Sequence, residues 1–440
     1  MKRSITAAVG LAAAAALTLS ACSSGGGTSG SSAPAASSGP VTITLAGWSL
    51  STTPEFKTLA DGYHAAHPNV TVALKEYDAT NYDTQMIADL AAGSAPDIYV
   101  QKNLKNFVTY QSGGQLLDVS DVAAKLGDKV GGLKAYAVDG KTYAIPYRQD
   151  SWVLYYNKDL FDKAGVAYPD GSWTWDDYAK TAAELTTKLK AAGSSALGAY
   201  QHSWQSTVQG FALAQTPNAD LISGKFDYLK PYYDRSLAMQ KAGSQPDYGS
   251  VTTNKLTYQA EFGKQQAAMM PMGTWYVATL IAQQAKGDAD KFTWGMAPAP
   301  QFDSSTTGTS KTPVTFGDPT GLGINPKIAK DKIAAAKDFL AYAAGVDGAK
   351  SLASIGITPA NTSADVVSAY FAVKGVPTDA LSKFAFGTHD TRPENPVSKY
   401  TAGLQNILSD LHSSVMSGSS SIGDAITKAQ DRAKNEVLNK

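Results

Sequence analysis

The sequence predicts an α/β protein with two large lobes and a largely parallel sheet. Two observations support this fold class. Residues 41–101 alternate strand and helix patterns in the order of a βαβαβ unit, which forms a parallel sheet. The chain has 440 residues, of which 43% are hydrophobic, enough for two or three compact units. Because a lone cysteine forms no intramolecular disulfide, these units depend on their own cores.

The first predicted unit follows from hydrophobic periodicity. The stretch VTITLAGW alternates apolar residues with threonines, which is a strand pattern. Apolar residues then recur twice at helical spacing, and these helices end at His67-Pro68 and at Gly93. The predicted elements are a strand from Val41, a helix at 54–66, a strand at 70–77, a helix over 82–90 and a strand at 97–101.

The middle and the C-terminal part of the chain repeat this theme less regularly. Thr174 and Asp177 form a capping box at the start of a predicted helix, which Gly193 ends. A second strong helical pattern covers 327–344 and is followed by Gly345. Further predicted elements are strands at 143–147, 153–157, 292–296 and 321–324, an apolar run at 267–272 and an amphipathic segment at 422–438.

The N-terminal segment predicts export. Lys2 and Arg3 form a short positive region, and an uncharged apolar run follows at 5–19. That run is too short to span a bilayer comfortably and is typical of a signal peptide, which we place at 1–21. We therefore expect the body of the protein to work outside the cytoplasm.

The lone cysteine predicts a lipid anchor. The stretch LSAC, which ends at Cys22, looks like the lipobox of bacterial lipoproteins, and this resemblance implies that Cys22 is lipidated and becomes the first residue after cleavage. The alternative is an ordinary signal peptide that ends in Ala-Cys. The rest of 22–40 consists of Ser, Gly, Ala, Pro and Thr, which bury no core, so we expect a flexible tether with a span of roughly 25 Å.

Composition and motifs exclude several classes of protein. The 38 basic residues balance 38 acidic ones, so no global field indicates nucleic acid or an anionic membrane surface. The chain lacks a nucleophile elbow, a Walker loop and a dinucleotide fingerprint. His64 and His67 lie three residues apart without further ligands in view, so we expect a solvated pair. We expect no catalytic residue, no metal, no cofactor and no nucleic-acid partner.

Four stretches, taken in order, carry a family resemblance. They are HPNVTV with AAGSAPDIYV, GKTYAIPYRQDSWVLYYNKDLFDKAGV with the TWDDYAK helix, FGKQQAAMMPMGTW, and GLGINPKIAKDKIAAAKDFLAYAAG with ITPA. Over nearly all of residues 41–440 the chain resembles the extracellular solute-binding proteins of ABC importers, in the family that includes maltose- and oligosaccharide-binding members. The resemblance implies a type II periplasmic-binding-protein-like fold of two α/β lobes, each a mainly parallel sheet flanked by helices, with the ligand in the cleft between them.

The same resemblance implies where the chain passes between the lobes. On the family pattern the crossings fall near 148–152, near 268–272 and near Asn325. The N-lobe would then comprise 41–150 and 271–325, and the C-lobe would comprise 151–270 and 326–440.

Candidate ligand-binding residues follow from this fold. In open parallel sheets, ligands bind beyond the carboxyl ends of the strands. Aromatic faces suit the apolar faces of sugars, and Asp, Gln and Arg suit their hydroxyl groups. Each candidate has a packing alternative, such as a salt bridge to Arg148 for Asp150. The candidates are Trp48 after the first strand, Gln101 after the third, Asp150 in the first crossing, Trp204 in QHSWQS, Trp275 after the methionine-rich run, Asp318 in FGDPTG and Arg392 in DTRPENP.

The resemblance implies a function in uptake. We expect a monomeric, lipid-anchored protein on the outer face of the cytoplasmic membrane, which captures a mono- or oligosaccharide and delivers it to ABC permease subunits. Two alternatives remain open. In the first, the protein has the same transport role, but its ligand is an amino acid, a peptide, a polyamine or a phosphorylated solute. In the second, the protein is a secreted glycoside hydrolase, which needs two carboxylates about 5–10 Å apart.

Overall fold

The computed structural model describes residues 39–51 and 53–440. The predicted signal peptide, Cys22 and all but the last two residues of the predicted tether lie outside these residues. The described strands, in chain order, are β1 (Val41–Trp48), β2 (Val70–Tyr77), β3 (Ile98–Gln101), β4 (Ala137–Val138), β5 (Lys141–Thr142), β6 (Ile145–Gln149), β7 (Trp152–Asn157), β8 (Leu197–Ala199), β9 (Ala267–Gly273), β10 (Trp294–Pro298), β11 (Val314–Phe316), β12 (Pro319–Ile324) and β13 (Asp390–Arg392).

Helices connect most of these strands. Within the described residues, no helix is both long enough and apolar enough to cross a membrane. The helices are α1 (Glu55–Ala66), α2 (Tyr82–Ala92), α3 (Phe107–Ser112), α4 (Ser120–Leu126), α5 (Lys158–Ala164), α6 (Trp175–Ala191), α7 (Ser206–Gln215), α8 (Lys230–Lys241), α9 (Tyr248–Thr253), α10 (Tyr258–Gly263), α11 (Tyr276–Lys286), α12 (Ile333–Ala344), α13 (Val346–Ala353), α14 (Ala364–Phe371), α15 (Ala380–Gly387), α16 (Thr401–Met416) and α17 (Ile422–Arg432).

Helix α6 shows how local sequence sets an element. Thr174 accepts a hydrogen bond from the backbone N–H of Asp177 (3.3 Å), and the Asp177 carboxylate accepts one from the backbone N–H of Thr174 (2.9 Å). This reciprocal pair is the capping box that the sequence predicts. Helix α12 differs from its prediction, because Asn325 forms a turn with Lys327 (3.0 Å) and the regular helix begins only at Ile333.

The first sheet has five strands in the order β2-β1-β3-β12-β6. Strand β1 pairs in parallel with β2 and with β3, as the βαβαβ pattern predicts. Strand β12 is antiparallel to both of its neighbours, β3 and β6. It follows that β1, β2, β3 and β6 all run in one direction and that β12 alone is reversed, so the sheet is mainly parallel.

The second sheet has four strands in the order β10-β7-β9-β8. Strand β7 is antiparallel to β10 and to β9, whereas β8 and β9 are parallel. Here too a single strand, β7, runs against the other three. Strands β11 and β13 form a separate parallel pair.

Each sheet carries its own hydrophobic core, and these two cores define the two lobes. The first core contains Leu45, Val100 and Ile145, which are all fully buried. The second contains Tyr155 and Met269, which are also fully buried. The mixed α/β architecture with two lobes is therefore confirmed.

The chain passes between the lobes at short segments. Asp150 and Ser151 link β6 of the first sheet to β7 of the second, as expected. Gly317 and Asp318 link β11 to β12 in the other direction. The two segments touch, since a Cβ atom on Gly317 would lie 2.1 Å from the carbonyl oxygen of Asp150, so this close approach requires glycine. A third passage lies at 361–365, between the first core at Ala360 and the second core at Val366.

The expected lobe boundaries are wrong in two places. The predicted crossing at 268–272 lies inside β9, which pairs with β7 over Trp152–Gly273 and Tyr156–Met269 in the second sheet. Strand β10 also belongs to that sheet, and Val314 and Phe316 pack in the second core, so most of 271–316 lies with the C-lobe. The predicted crossing at Asn325 is displaced to 317–318, and Phe339 and Ile357 pack in the first core, so most of 326–360 lies with the N-lobe. Apolar runs show that a strand is buried, but they do not show in which sheet it pairs.

Candidate functional site

The carboxyl ends of three parallel strands meet at one edge of the first sheet. Trp48 ends β1, Gln101 ends β3, and Asp150 directly follows β6. Asp318 lies at the same edge, because it precedes the reversed strand β12, whose residue Pro319 pairs with Gln149. The sheet topology therefore places these four predicted residues along one edge, as the rule for parallel sheets requires.

Three tryptophans lie at the facing edge of the second sheet. Trp152 begins β7 and pairs with Gly273, the last residue of β9, so Trp275 lies just beyond this edge. Strand β8 runs parallel to β9 and ends at Ala199, so the loop that carries Trp204 leaves the same edge. Because only Asp150 and Ser151 separate β6 from β7, the two edges adjoin.

These tryptophans form a continuous aromatic wall, which consists of Trp152, Trp275, Trp204 and Tyr258. The ring centroids of Trp152 and Trp275 lie 5.4 Å apart, and those of Trp275 and Trp204 lie 6.4 Å apart. Tyr258 lies 5.6 Å from Trp204. Trp152 is 3% exposed, whereas Trp204 is 42% exposed. The wall therefore begins in the core and ends in a ring with a free surface.

The free surface of Trp204 lines a cavity of about 330 Å³. Asn103 and Lys105, from the loop after β3, line it from the first lobe. Trp204, Tyr248 and Glu394 line it from the second lobe, together with hydroxyl and amide side chains. The cavity thus lies between the lobes and combines one aromatic face with polar groups, which is the usual make-up of a small-molecule site.

A chain of buried polar contacts crosses from the first lobe to the second and is called here the hinge chain. It consists of Tyr147, Glu55, Arg148, Asp150 and Thr274. Tyr147 donates to Glu55 (2.5 Å), and Arg148 donates to the other oxygen of Glu55 (2.6 Å). The Nε atom of Arg148 lies 2.7 Å from Asp150, and Thr274 donates to Asp150 (2.8 Å). Thr274 directly precedes Trp275, so the hinge chain connects Glu55 of helix α1 with the aromatic wall.

Burial controls the charges of the hinge chain. Burial raises the pKa of Glu55, and it raises the pKa of Asp150, while Arg148 opposes both effects. Burial alone would lower the pKa of Arg148, but the Glu55 and Asp150 carboxylates raise it. Arg148 is therefore a permanent cation between two carboxylates. Asp150 was predicted to contact ligand, and the structure gives each of its carboxylate oxygens a protein partner.

Asp318 also has its carboxylate occupied by the protein. It accepts hydrogen bonds from the backbone N–H groups of Leu104 (3.2 Å), Glu394 (3.0 Å) and Asn395 (3.3 Å), and from the Asn395 side chain (2.6 Å). Leu104 lies in the first lobe, and the loop with Glu394 and Asn395 packs on the second. Asp318 thus joins two cavity-lining loops.

Three other predicted residues have different surroundings. Trp48 packs against Phe56 at 5.0 Å, and the ammonium of Lys102 lies 4.8 Å from its ring centroid. The side chain of Gln101 is 1% exposed, and neither of its amide atoms has a partner among the described residues. Arg392 donates to the carbonyl oxygen of Ala214 (2.6 Å), so its guanidinium braces the end of helix α7.

Sequence reasoning missed several residues of this region. Lys105 lies four positions beyond the end of β3, so the strand-end rule could have found it. Glu394 lies two residues from the predicted Arg392, in the same loop. Glu55 and Thr274 carry no signal of their own, because their partners lie 93 and 124 positions away in the chain.

Comparisons with known proteins identify the family of this chain. The model of the family described as bacterial extracellular solute-binding protein matches residues 49–350, which is more than half of the chain. Among curated relatives, a binding protein of Brucella abortus is 30% identical over 177 residues, 38% of this chain and 39% of the relative. The sn-glycerol-3-phosphate-binding periplasmic protein UgpB of Escherichia coli K12 is 29% identical over 219 residues, 45% of this chain and 48% of the relative. The chain thus matches less than half the length of these relatives.

Solved structures match over a larger part of the chain. A sugar transporter of Rhizobium etli, in an open conformation, is 31% identical, with a TM-score of 0.73 over 90% of this chain and 99% of that one. The GacH receptor of Streptomyces glaucescens is 21% identical, with a TM-score of 0.69 over 91% of this chain and 99% of that one, and it shows the same fold. With its two lobes, its interlobe cavity and the match over residues 49–350, this chain belongs to the bacterial extracellular solute-binding protein family.

Proposed function

We propose that this protein captures a carbohydrate in the cavity between its lobes. The observation that carries this proposal is the 42% exposed ring of Trp204 on an interlobe cavity of about 330 Å³. An aromatic face packs well against the C–H face of a sugar ring. The amide, hydroxyl and charged groups around it match hydroxyls, which both donate and accept hydrogen bonds.

The relatives support a carbohydrate. The Rhizobium etli neighbour is a sugar transporter, GacH of Streptomyces glaucescens is described with acarbose, and an Agrobacterium vitis neighbour contains D-mannitol. The second and third of these are 21% and 18% identical to this chain, so they support the fold and suggest which ligands to test.

A second candidate is a non-sugar solute, such as an amino acid, a peptide, a polyamine or a phosphorylated compound. The likeness to UgpB, which is named for sn-glycerol-3-phosphate, favours the last of these. A phosphate dianion usually requires several basic groups or a helix N-terminus. Lys105 is the one basic side chain other than histidine among the described residues that line the cavity, and it faces Glu394, so a neutral polyol fits better.

The proposed ligand contacts follow from exposure and from side-chain groups without a protein partner. Trp204 would stack on the ligand, and Trp275 would support it from behind and present its own edge. Trp48 and the unpartnered amide of Gln101 lie at the edge of the first sheet, which a larger ligand would approach. The carboxylate of Asp150 lies at the same edge but is bound to Arg148 and Thr274, so it would orient the hinge and not contact the ligand. Asp318 and Arg392, whose charged groups bind protein partners, would instead hold the loops in place.

The proposed setting is ABC import. The chain would be lipidated at Cys22, tethered by 22–40 to the outer face of the cytoplasmic membrane, and monomeric. Ligand would favour the closed arrangement of the lobes by the difference between its affinities for the closed and open forms. The closed form would then dock on the permease, and the protein itself would catalyse no reaction.

A thermal-shift screen tests this proposal. A ligand that binds the native state raises the unfolding temperature, so the panel should contain maltose, D-mannitol, D-tagatose, acarbose and chitin oligosaccharides beside sn-glycerol-3-phosphate and amino acids. We expect a shift with at least one carbohydrate, confirmed as one-to-one binding by calorimetry. A shift with the phosphate or an amino acid alone would overturn the proposal. New reducing ends from an oligosaccharide would show a hydrolase instead.

A further inference from the structure

Two charged side chains from opposite lobes line the interlobe cavity. Lys105 comes from the loop between β3 and α3 in the first lobe, and Glu394 comes from the loop after β13 in the second. Neither forms an ion pair within 4.0 Å among the described residues. This contrasts with the hinge chain, in which every charged group has a charged or hydroxyl partner.

Lys105 is half-buried, and its ammonium group has no partner among the described residues. Its backbone N–H donates to Asn103 (3.0 Å), but its Nζ atom forms no hydrogen bond among the described residues. Burial lowers the pKa of Lys105, and the more distant Asp83 and Glu394 carboxylates oppose this effect. An ammonium that lacks an acceptor within the protein and lines a cavity can donate to a ligand oxygen, and such a charge-assisted hydrogen bond is stronger than a neutral one.

The carboxyl group of Glu394 is held in place with one oxygen free. Its Oε1 atom accepts a hydrogen bond from the Ser206 hydroxyl, and its Oε2 atom has no partner among the described residues. Its backbone N–H donates to Asp318 (3.0 Å), and its carbonyl accepts from Gln405 (3.1 Å). These contacts fix both ends of the residue, so the carboxyl group is preorganised for a ligand.

We propose that Lys105 and Glu394 bind neighbouring hydroxyl groups of one ligand from the two sides of the cavity, and that this two-sided contact makes capture dependent on pH near neutrality. Lys105 would donate to one hydroxyl, and ionised Glu394 would accept from the next. A polyol provides both roles at adjacent carbon atoms. This inference rests on the proposed function of carbohydrate capture.

The pH dependence follows from the groups that face Glu394. Burial and Asp318 raise the pKa of Glu394 to about 7, while Ser206 and Lys105 oppose this shift. Gln405 and Ser206 do not titrate, and burial lowers the pKa of His412 on helix α16 to about 4, so that histidine stays neutral. On its own segment, Arg392 is paired with Asp390 (3.0 Å). Among the described residues that line this cavity, Glu394 is the one carboxyl group, and its pKa of about 7 places its change of charge near neutral pH.

The affinity for the ligand should fall as Glu394 becomes protonated. Protonation replaces the charged acceptor with a neutral carboxyl group, which is a weaker acceptor for the ligand hydroxyl, so affinity is full above the pKa and falls as pH decreases through it. With a pKa of about 7, only about 3% of the carboxyl groups are ionised at about pH 5.5, so the apparent affinity should fall up to about thirtyfold from its value at about pH 8.5.

Calorimetry with the carbohydrate that the screen identifies tests this inference. The variants are Lys105→Met and Glu394→Gln, and the controls are Lys188→Met and Glu184→Gln on the exposed face of helix α6, where the pair is 44% exposed on each side. We expect Lys105→Met to weaken binding at least about tenfold at every pH. Glu394→Gln should bind more weakly than wild type at about pH 8.5 and show a flat pH profile.

The outcomes separate this inference from the proposed function. If wild type binds a carbohydrate but Lys105→Met binds it equally well, or if Glu394→Gln keeps the wild-type pH profile, the inference is overturned and carbohydrate capture stands. If wild type binds sn-glycerol-3-phosphate and no carbohydrate, this inference and the proposed function are both overturned. Circular dichroism and thermal unfolding of each variant show whether a lost affinity reflects a lost fold.

Discussion

The exposed ring of Trp204 gives the most direct quantitative prediction. The side chain of a tryptophan has a surface of roughly 250 Å², of which 42% is exposed here, so about 100 Å² is free for a ligand. At about 25 cal/mol per Å², full coverage of this surface contributes about 2.5 kcal/mol, and stacking on one face about half of that. Trp204→Ala should therefore weaken carbohydrate binding by a factor of about 8 to 70.

Isothermal titration calorimetry measures this loss, and the chain offers a matched control. Phe302 is also 42% exposed, but it packs on Tyr232 at a centroid distance of 6.3 Å and does not line the interlobe cavity. Phe302→Ala should leave the affinity unchanged. Both variants should unfold near the wild-type temperature, because each removes a ring that is already partly in water. If Trp204→Ala binds within twofold of wild type, the aromatic wall does not contact the ligand and the site is misplaced.

Three further predictions concern the hinge, a buried histidine and the N-terminus. Arg148→Met leaves the buried carboxylates of Glu55 and Asp150 without their cation, so chemical denaturation should show a loss of about 3–5 kcal/mol, and a loss below 1 kcal/mol would refute the charged hinge chain. Burial lowers the pKa of His412 to about 4, so its neutral form contributes stability above about pH 6.5, and this stability is lost as the pH falls toward 4. The difference in unfolding free energy between wild type and His412→Gln should therefore shrink by about 3 kcal/mol over that interval. A constant difference would refute this. Cys22→Ser should move the protein from the membrane fraction to the soluble fraction, and unchanged membrane association would rule out lipidation at this residue.

Local patterns predicted the elements well, because their causes lie within a few residues. The capping box of Thr174 and Asp177 and the αL glycine at Gly93 act over three or four positions. The reversed direction of β12 and the pairing of β9 with β7 depend instead on partners more than 100 residues away. Periodicity reports burial and not pairing partners, so the expected lobe boundaries failed where the sheet membership of a buried strand had to be guessed.

In the candidate site too, features set by local sequence could be predicted, and features set by distant partners could not. Trp204 and Trp275 could be predicted, because an aromatic residue in a polar loop after a strand is visible in the sequence, and the structure brings their rings to 6.4 Å. Asp150 could be named but not interpreted, since its partner Thr274 lies 124 residues away. Lys105 and Glu394 were missed, because neither is unusual until the fold places both at one cavity.

The two groups of charges between the lobes have different physical consequences. In the hinge chain, Arg148 lies 2.6 Å from Glu55 and 2.7 Å from Asp150, so a ligand there would first have to displace a buried ion pair, which costs several kcal/mol. At the cavity, neither Lys105 nor Glu394 forms an ion pair among the described residues, so a ligand there would have no buried ion pair to displace. Loss of Arg148 should therefore lower stability more than affinity, and loss of Lys105 should lower affinity more than stability. The ligand site is thus expected at the unpaired charges, and the hinge at the paired ones.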